Sequence, residues 1–346
     1  MSKTNPGNFF EDYRAGQRLV HATPRTVTLG DRALYGALYP SRFALQSSDE
    51  FARSCGLPAS PLDDLAAFHV IFGKTVPDIS LNAVANLGYA EGRFLAPVYP
   101  GDTLTTVSEV IGIKENSNAK TGVVWVRSTG MNQRREAVIE YCRWVMVRKR
   151  DAASPAPEAV VPELADAVAA SALVVPEGLD FSNYDKGLAG SPDYWEDYTP
   201  GEKIDHVDGC MLEEAEHMLA TRLWQNTARV HFDPAARGGA PRLIYGGHII
   251  SMARALSFNG LGNAQLIAGI NAGAHAAPCF AGDTVYAWSE VLDKAGTAVP
   301  SVGALRLRLV AVKNAPAGEM TLHGPDGKYA PGVVLDFDYW ALMPRR

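Results

Sequence analysis

Phe10-Glu11-Asp12-Tyr13-Arg14-Ala15-Gly16 stands near the start of the chain, and Trp195-Glu196-Asp197-Tyr198-Thr199-Pro200-Gly201 stands past its middle. Both read aromatic-E-D-Y-x-x-G, 185 residues apart, and the same offset pairs His21 with His206. Further on, Pro100-Gly101-Asp102-Thr103-Leu104 matches Ala281-Gly282-Asp283-Thr284-Val285 at an offset of 181, and His69-Val70-Ile71 matches His248-Ile249-Ile250 at 179. The order is kept while the offset drifts by a few residues, as insertions in surface loops produce. One such match is within reach of chance; three in the same order mark a duplicated unit.

Residues 151–178, DAASPAPEAVVPELADAVAASALVVPEG, separate the copies. They are rich in Ala, Pro and acidic residues, and the proline spacing forbids a long regular element while leaving room for a short helix over 163–172. The chain divides accordingly into an N-terminal half at 9–150, a linker at 151–190 and a C-terminal half at 191–346. In each half apolar residues recur once at helical spacing, over 62–74 (LDDLAAFHVIFGK) and 246–259 (GGHIISMARALSFN). β-rich runs follow at 84–95, 103–113, 121–130 and 137–148, and again at 264–275, 283–293, 302–313 and 332–343. The last run of each set alternates and is aromatic or β-branched, as strands prefer, and Asp326-Gly327 offers a hairpin turn before the final one. One long helix followed by about four antiparallel strands, made twice, is an α+β pattern in which a curled sheet wraps a helix. The long apolar strand at 333–343 needs cover if it lies at a sheet edge, which points to a homodimer.

The 346 residues are 47% hydrophobic and 20% charged with a formal net charge of −6, enough chain for each half to bury a core. The acidic balance argues against nucleic acid as a partner, because phosphate binding asks for a basic face. No apolar stretch approaches the roughly 20 residues that cross a bilayer. The N-terminal MSKTNPGNFFEDY lacks the apolar core of a signal peptide, so the reading is of a cytoplasmic protein with no membrane partner. Cys55, Cys142, Cys210 and Cys279 lie far apart without a C-x-x-C pair, and neither a zinc site nor a disulfide framework follows. No cluster of His, Cys and acids has metal spacing. No G-x-S-x-G, Walker loop or G-x-G-x-x-G after a strand is present.

The G-D-T-[LV] after the first strand that follows each helix, the Gly246-Gly247-His248 opening of the second helix, and Ala228-Arg229-Val230-His231-Phe232-Asp233 together resemble the MaoC-like hydratases and dehydratases. The resemblance runs over nearly the whole chain, once per half. More narrowly, the paired E-D-Y segments with the N-T-A-R-V-H-F-D string from Asn226 to Asp233 resemble the mesaconyl-CoA hydratase (β-methylmalyl-CoA dehydratase) branch. What this implies is a double hotdog, two tandem halves each with a long helix wrapped by an antiparallel sheet. It also implies reversible hydration of a short, branched, dicarboxylic enoyl-CoA. The partner is then an acyl-CoA thioester substrate, with no separate cofactor because coenzyme A belongs to the substrate.

In that family an Asp and a His five residues later hold a water against the enoyl thioester. Hydration needs a base for the water, an acid for the α-carbon and donors for the enolate oxygen. Five residues before His231 stands Asn226, whose amide is no base but whose oxygen can accept a hydrogen bond. His231 therefore carries the acid–base work and Asn226 orients water. The family's Pro two residues before the His is Arg229 here, a candidate cation for a second carboxylate, with Arg254, Arg93 and Arg42 as further ones. Gly246 and Gly247 let a thioester carbonyl approach the backbone N–H groups of a helix start. At the offset of 185, Ser41 and Gln46 stand where Asn226 and His231 stand, so only the second half keeps the pair.

Other residues read more plainly. Asp233-Pro234-Ala235-Ala236 is the sequence of an N-cap with Pro in the first turn, and Ser47-Ser48-Asp49-Glu50 reads as a capping box at the matching place. His69 with His248, and His21 with His206, occur in both halves and read as structural or substrate-lining, while His217, His275 and His323 read as structural. Acyl-CoA thioesterases share the fold, and a non-catalytic acyl-CoA binding subunit is the rival of a different class.

Overall fold

The structure, a computed structural model, describes residues 3–346; Met1 and Ser2, part of the stretch read for a leader, lie outside the described residues. The first half runs β1 (Arg18–Val20), β2 (Arg25–Thr26), α1 (Leu29–Leu38), α2 (Ala44–Ser47), α3 (Asp49–Ser54), α4 (Asp64–Ile79), β3 (Ala83–Phe94), β4 (Thr103–Glu115), β5 (Thr121–Met131) and β6 (Ala137–Arg148). After α5 (Lys186–Ala189) the second half runs β7 (Lys203–Met211), α6 (Glu214–Leu223), α7 (Gly246–Leu256), α8 (Phe258–Leu261), β8 (Leu266–Ala274), β9 (Thr284–Gly296), β10 (Val302–Lys313) and β11 (Val333–Pro344). All eight long strands fall within a few residues of the β-rich runs read from the sequence.

They form one 11-stranded sheet in the order β1-β4-β5-β6-β3-β8-β11-β10-β9-β7, with β2 on β4. Each half contributes the same internal order, and the halves meet where β3 pairs antiparallel with β8, Tyr89 opposite Gly273 and Arg93 opposite Gly269. The fold is the double hotdog. Its two long helices lie together inside the curl: Phe68, Ile71 and Phe72 of α4 share one core with Ile249, Ile250 and Ala253 of α7.

The repeat holds at the level of single hydrogen bonds. The Tyr13 hydroxyl donates to the Asp78 carbonyl at 2.8 Å near the end of α4, and the Tyr198 hydroxyl donates to the Gly260 carbonyl at 2.8 Å after α7. His21 Nε2 meets Ser108 Oγ at 2.8 Å, and His206 Nε2 meets Ser289 Oγ at 2.8 Å. The E-D-Y segments are thus staples: each ties its helix terminus to its own sheet and satisfies an orphan carbonyl.

Several local expectations differ from the structure. The helix over 163–172 is absent except for one 3₁₀ turn at Ala170–Ala172. This segment lies along the sheet, where the Ala165 N–H donates to Glu91, the Val168 N–H donates to Asn271, and Trp340 donates to the Val168 carbonyl. Partners from the strands replace the i−4 carbonyls of a helix. α4 runs on to Ile79 with Pro77 inside it, while α7 stops at Leu256 and a kinked turn, α8, follows. Ser48, not Ser47, caps α3, accepting from the Phe51 N–H; with Phe51 at that position no capping box forms. Asp326-Gly327 does turn the chain, inside a loop closed by a His323–Tyr329 bridge. The strand at 333–343 is no edge: β11 is paired by β8 on one side and β10 on the other, so its cover comes from the same chain.

Candidate active site

After α6 the chain turns sharply, with Gln225 in the left-handed region at φ +53°. The Asn226 N–H donates back to the Thr221 carbonyl at 3.1 Å, and its side-chain oxygen accepts from the Ala228 N–H at 3.0 Å. That donor fixes the amide's orientation and leaves Nδ2 as its free donor. A 3₁₀ turn, Arg229–His231, follows, and Asp233 then caps the next turn through the Ala235 N–H at 2.9 Å, the role expected of it. Gly73 lets this loop press on α4: a Cβ there would stand 1.8 Å from the Trp224 carbonyl oxygen.

His231 is 8% exposed, and its Nδ1 lies 2.7 Å from the Leu243 carbonyl oxygen. A carbonyl only accepts, so Nδ1 carries the proton and Nε2 holds the lone pair. Burial depresses the imidazole pKa to about 4, partly opposed by the bond to Leu243. At neutral pH the ring is therefore an uncharged base in a fixed tautomer.

A cavity of about 410 Å³ lies between the halves, and Asn226, His231 and Gly246 all line it. Gly246 is required for close approach, since a Cβ there would stand 2.4 Å from His275. Gly247 does not line the cavity; a Cβ there would stand 2.5 Å from the His69 ring. Arg229 is exposed and is not a lining residue, although Ala228, Val230 and His231 around it are. The other suggested cations are engaged elsewhere. Arg254 donates to the Ala264 carbonyl and stacks 3.6 Å from the Phe43 ring, Arg93 pairs with Glu140 at 3.2 Å, and Arg42 lies over Phe258.

The two helix starts differ in a way that separates the halves. α7 begins at Gly246 behind Tyr245, which provides no side-chain cap, so its first N–H groups are left for a ligand. α4 begins behind Asp63, whose carboxylate accepts from the Leu65 N–H at 2.9 Å. Beside it Asp64 accepts from Gln46 at 3.0 Å and from the Ile267 N–H at 2.8 Å. Desolvation and the adjacent Asp63 push the Asp64 carboxyl up to about 8. The first half has thus filled its own helix start with carboxyls, and Gln46 serves to hold one of them.

The cavity also contains residues that the motif reading passed over. Arg143 of β6 is fully buried at 0% exposure and is a lining residue. His275 faces the Tyr89 hydroxyl at 3.4 Å, with burial holding its pKa down at about 4. Asn86 of β3 has both side-chain polar atoms buried without a partner. Parity was the available signal for Arg143. Along β6 it shares an alternating, inward face with Tyr141, Val145 and Val147, which are all buried.

Comparisons with known proteins give the family and the fold. The family model described as mesaconyl-CoA hydratase matches residues 2–317. The chain is 70% identical over 343 residues to the mesaconyl-CoA hydratase of Cereibacter sphaeroides, covering 99% of this chain and 100% of that one. It is 62% identical over 351 residues to the β-methylmalyl-CoA dehydratase of Chloroflexus aurantiacus, covering 100% and 99%. A crystal structure of a MaoC domain protein dehydratase from Chloroflexus aurantiacus superposes with a TM-score of 0.97 at 61% identity, covering 100% of both chains. A double-hotdog protein of Mycobacterium tuberculosis, 24% identical with a TM-score of 0.79 over 98% of this chain and 99% of that one, shares the fold. The chain belongs to the mesaconyl-CoA hydratase family, and it is a hydro-lyase on a double hotdog of the MaoC-like kind.

Proposed function

We propose that the protein reversibly hydrates mesaconyl-CoA to β-methylmalyl-CoA in the cavity between its halves, with His231 as acid and base. The observation that carries this reading is the free Nε2 lone pair of a neutral His231, in a cavity that Asn226 and the α7 start also line. His231 Nε2 takes a proton from water as the water oxygen bonds to the β-carbon. The C=C electrons move toward the thioester oxygen, where the Gly246 N–H at the α7 start offers a donor. The imidazolium then returns that proton to the α-carbon, so one water is added in balance and the same steps reversed expel it. Asn226 holds the water through its free Nδ2.

The test is incubation of the purified protein with mesaconyl-CoA while enoyl absorbance and free thiol are followed together. Absorbance falls without thiol release, and His231→Ala slows it by roughly 100-fold or more, as loss of a general acid–base does. Thiol release in step with absorbance loss identifies a thioesterase instead. Full hydration by His231→Ala removes that residue from the mechanism.

A further inference from the structure

Arg143 is a buried cation without an anion. Its Nη1 donates to Ser80 Oγ at 3.1 Å and its Nη2 to Thr75 Oγ1 at 2.7 Å, both neutral hydroxyls. Its Nε is buried with no hydrogen-bond partner, and the guanidinium carbon stands 4.2 Å over the Phe72 ring. Among the described residues no carboxylate lies within ion-pair distance of it, and Asp78, the acid that like Arg143 acts on Tyr13, is held by His21 at 2.7 Å. A desolvated charge with no counter-ion costs several kcal/mol, and a fold retains one where a ligand completes the pair.

The surroundings indicate what that ligand is. Asn86 lies opposite Val145 on the neighbouring strand, so it shares the inward face with Arg143, and both of its buried polar atoms are unsatisfied. Tyr245 connects this wall to the base: its ring is 5.7 Å from Phe72 and 5.7 Å from His231. A planar anion in this cavity finds a guanidinium and an amide donor on the same wall, the chemistry that recognises a carboxylate.

Resting on the function proposed above, we propose that Arg143, assisted by Asn86, is the receptor for the free carboxylate of the substrate and sets the enzyme's choice of dicarboxylic over monocarboxylic thioesters. The first half, which lacks the His, thereby supplies the specificity residue to the second half's base. Guanidinium binding also anchors the end of the acyl chain remote from the thioester, so the double bond is held between two fixed points.

Two arms test this separately from turnover. The first measures binding of methylsuccinyl-CoA and 2-methylbutanoyl-CoA, which have the same branched chain with and without the carboxylate and no double bond to hydrate. Wild type prefers methylsuccinyl-CoA by roughly 100-fold, the scale of a desolvated charge pair. Arg143→Met abolishes the preference, Arg143→Lys keeps part of it, and Asn86→Leu weakens it by less than Arg143→Met does. The second arm compares hydration of mesaconyl-CoA with that of 2-methylcrotonyl-CoA. Arg143→Met loses the former selectively and retains or gains the latter, which also shows that the variant is folded. Equal binding of the two saturated thioesters by wild type, or equal loss of both activities in a folded Arg143→Met protein, overturns the proposal. Carboxylate preference without hydration of mesaconyl-CoA overturns the functional reading while leaving Arg143 in place.

Discussion

The state of His231 is set by the partner of one ring nitrogen and by burial. Leu243 fixes the proton on Nδ1, and burial holds the conjugate acid down at about 4 against an ordinary value of 6.5. The base is therefore fully unprotonated through the neutral range. Between pH 8 and pH 5.5, kcat/KM for hydration varies by no more than about twofold from this group, because protonation sets in only near the folded pKa. A half-loss centred near 6.5 contradicts the assigned environment. At this scale the sequence was legible unevenly. His231, Asn226 and Gly246 were readable because a motif places them and local turns bring them into one cavity. Arg229 was a candidate by adjacency, but successive residues of a 3₁₀ turn point different ways, and its side chain lies on the outside. Arg143 was missed because 88 residues separate it from His231 along the chain, although strand parity had already placed it facing inward.

At the scale of elements, α7 is a helix whose start has no side-chain cap, and glycine there packs closely against His275. Gly246→Ala places a methyl where the His275 ring lies, 2.4 Å from the ideal Cβ position. Overpacking of this kind costs about 1–3 kcal/mol, and hydration falls because His275 must shift into the cavity. Thermal melts and steady-state kinetics of the variant check both effects, and an unchanged melting temperature with unchanged kcat refutes the close packing. The long strands were readable from their β-rich runs, and the last of each half also from alternation, because one face on the core enforces the period of two. The segment at 163–172 was misread because helical composition there is outweighed by the strand side chains that take up its N–H groups. Hydrogen-bond partners distant in sequence leave no local trace.

Over the whole molecule, six histidines have depressed pKa values: His69 and His248 at about 3, His206, His231 and His275 at about 4, and His217 lowered as well, with desolvation the leading cause in each. Unfolded histidines take up protons near 6.5. The folded values are depressed, so this contribution to stability is complete above about pH 6.5 and is lost as pH falls toward 4. The melting temperature drops by about 5 °C or more between pH 7.5 and pH 5, the histidine loss outweighing the opposite contribution of Asp64, whose carboxyl is pushed up to about 8. A scan of melting temperature against pH checks this, and a flat profile across that window refutes it. The sequence by itself determined the duplication, the strand and helix content of each half and a histidine that lines the cavity. Those follow from periodicity and from motifs whose members are neighbours along the chain or repeat at a constant offset. Only the tertiary structure decided which helix start lacks a side-chain cap, that the last strand is covered from within the chain, and that Arg143 of the first half and His231 of the second line one cavity. These depend on the β3–β8 seam and the packing of α4 on α7, where groups remote in sequence compete for the same buried space.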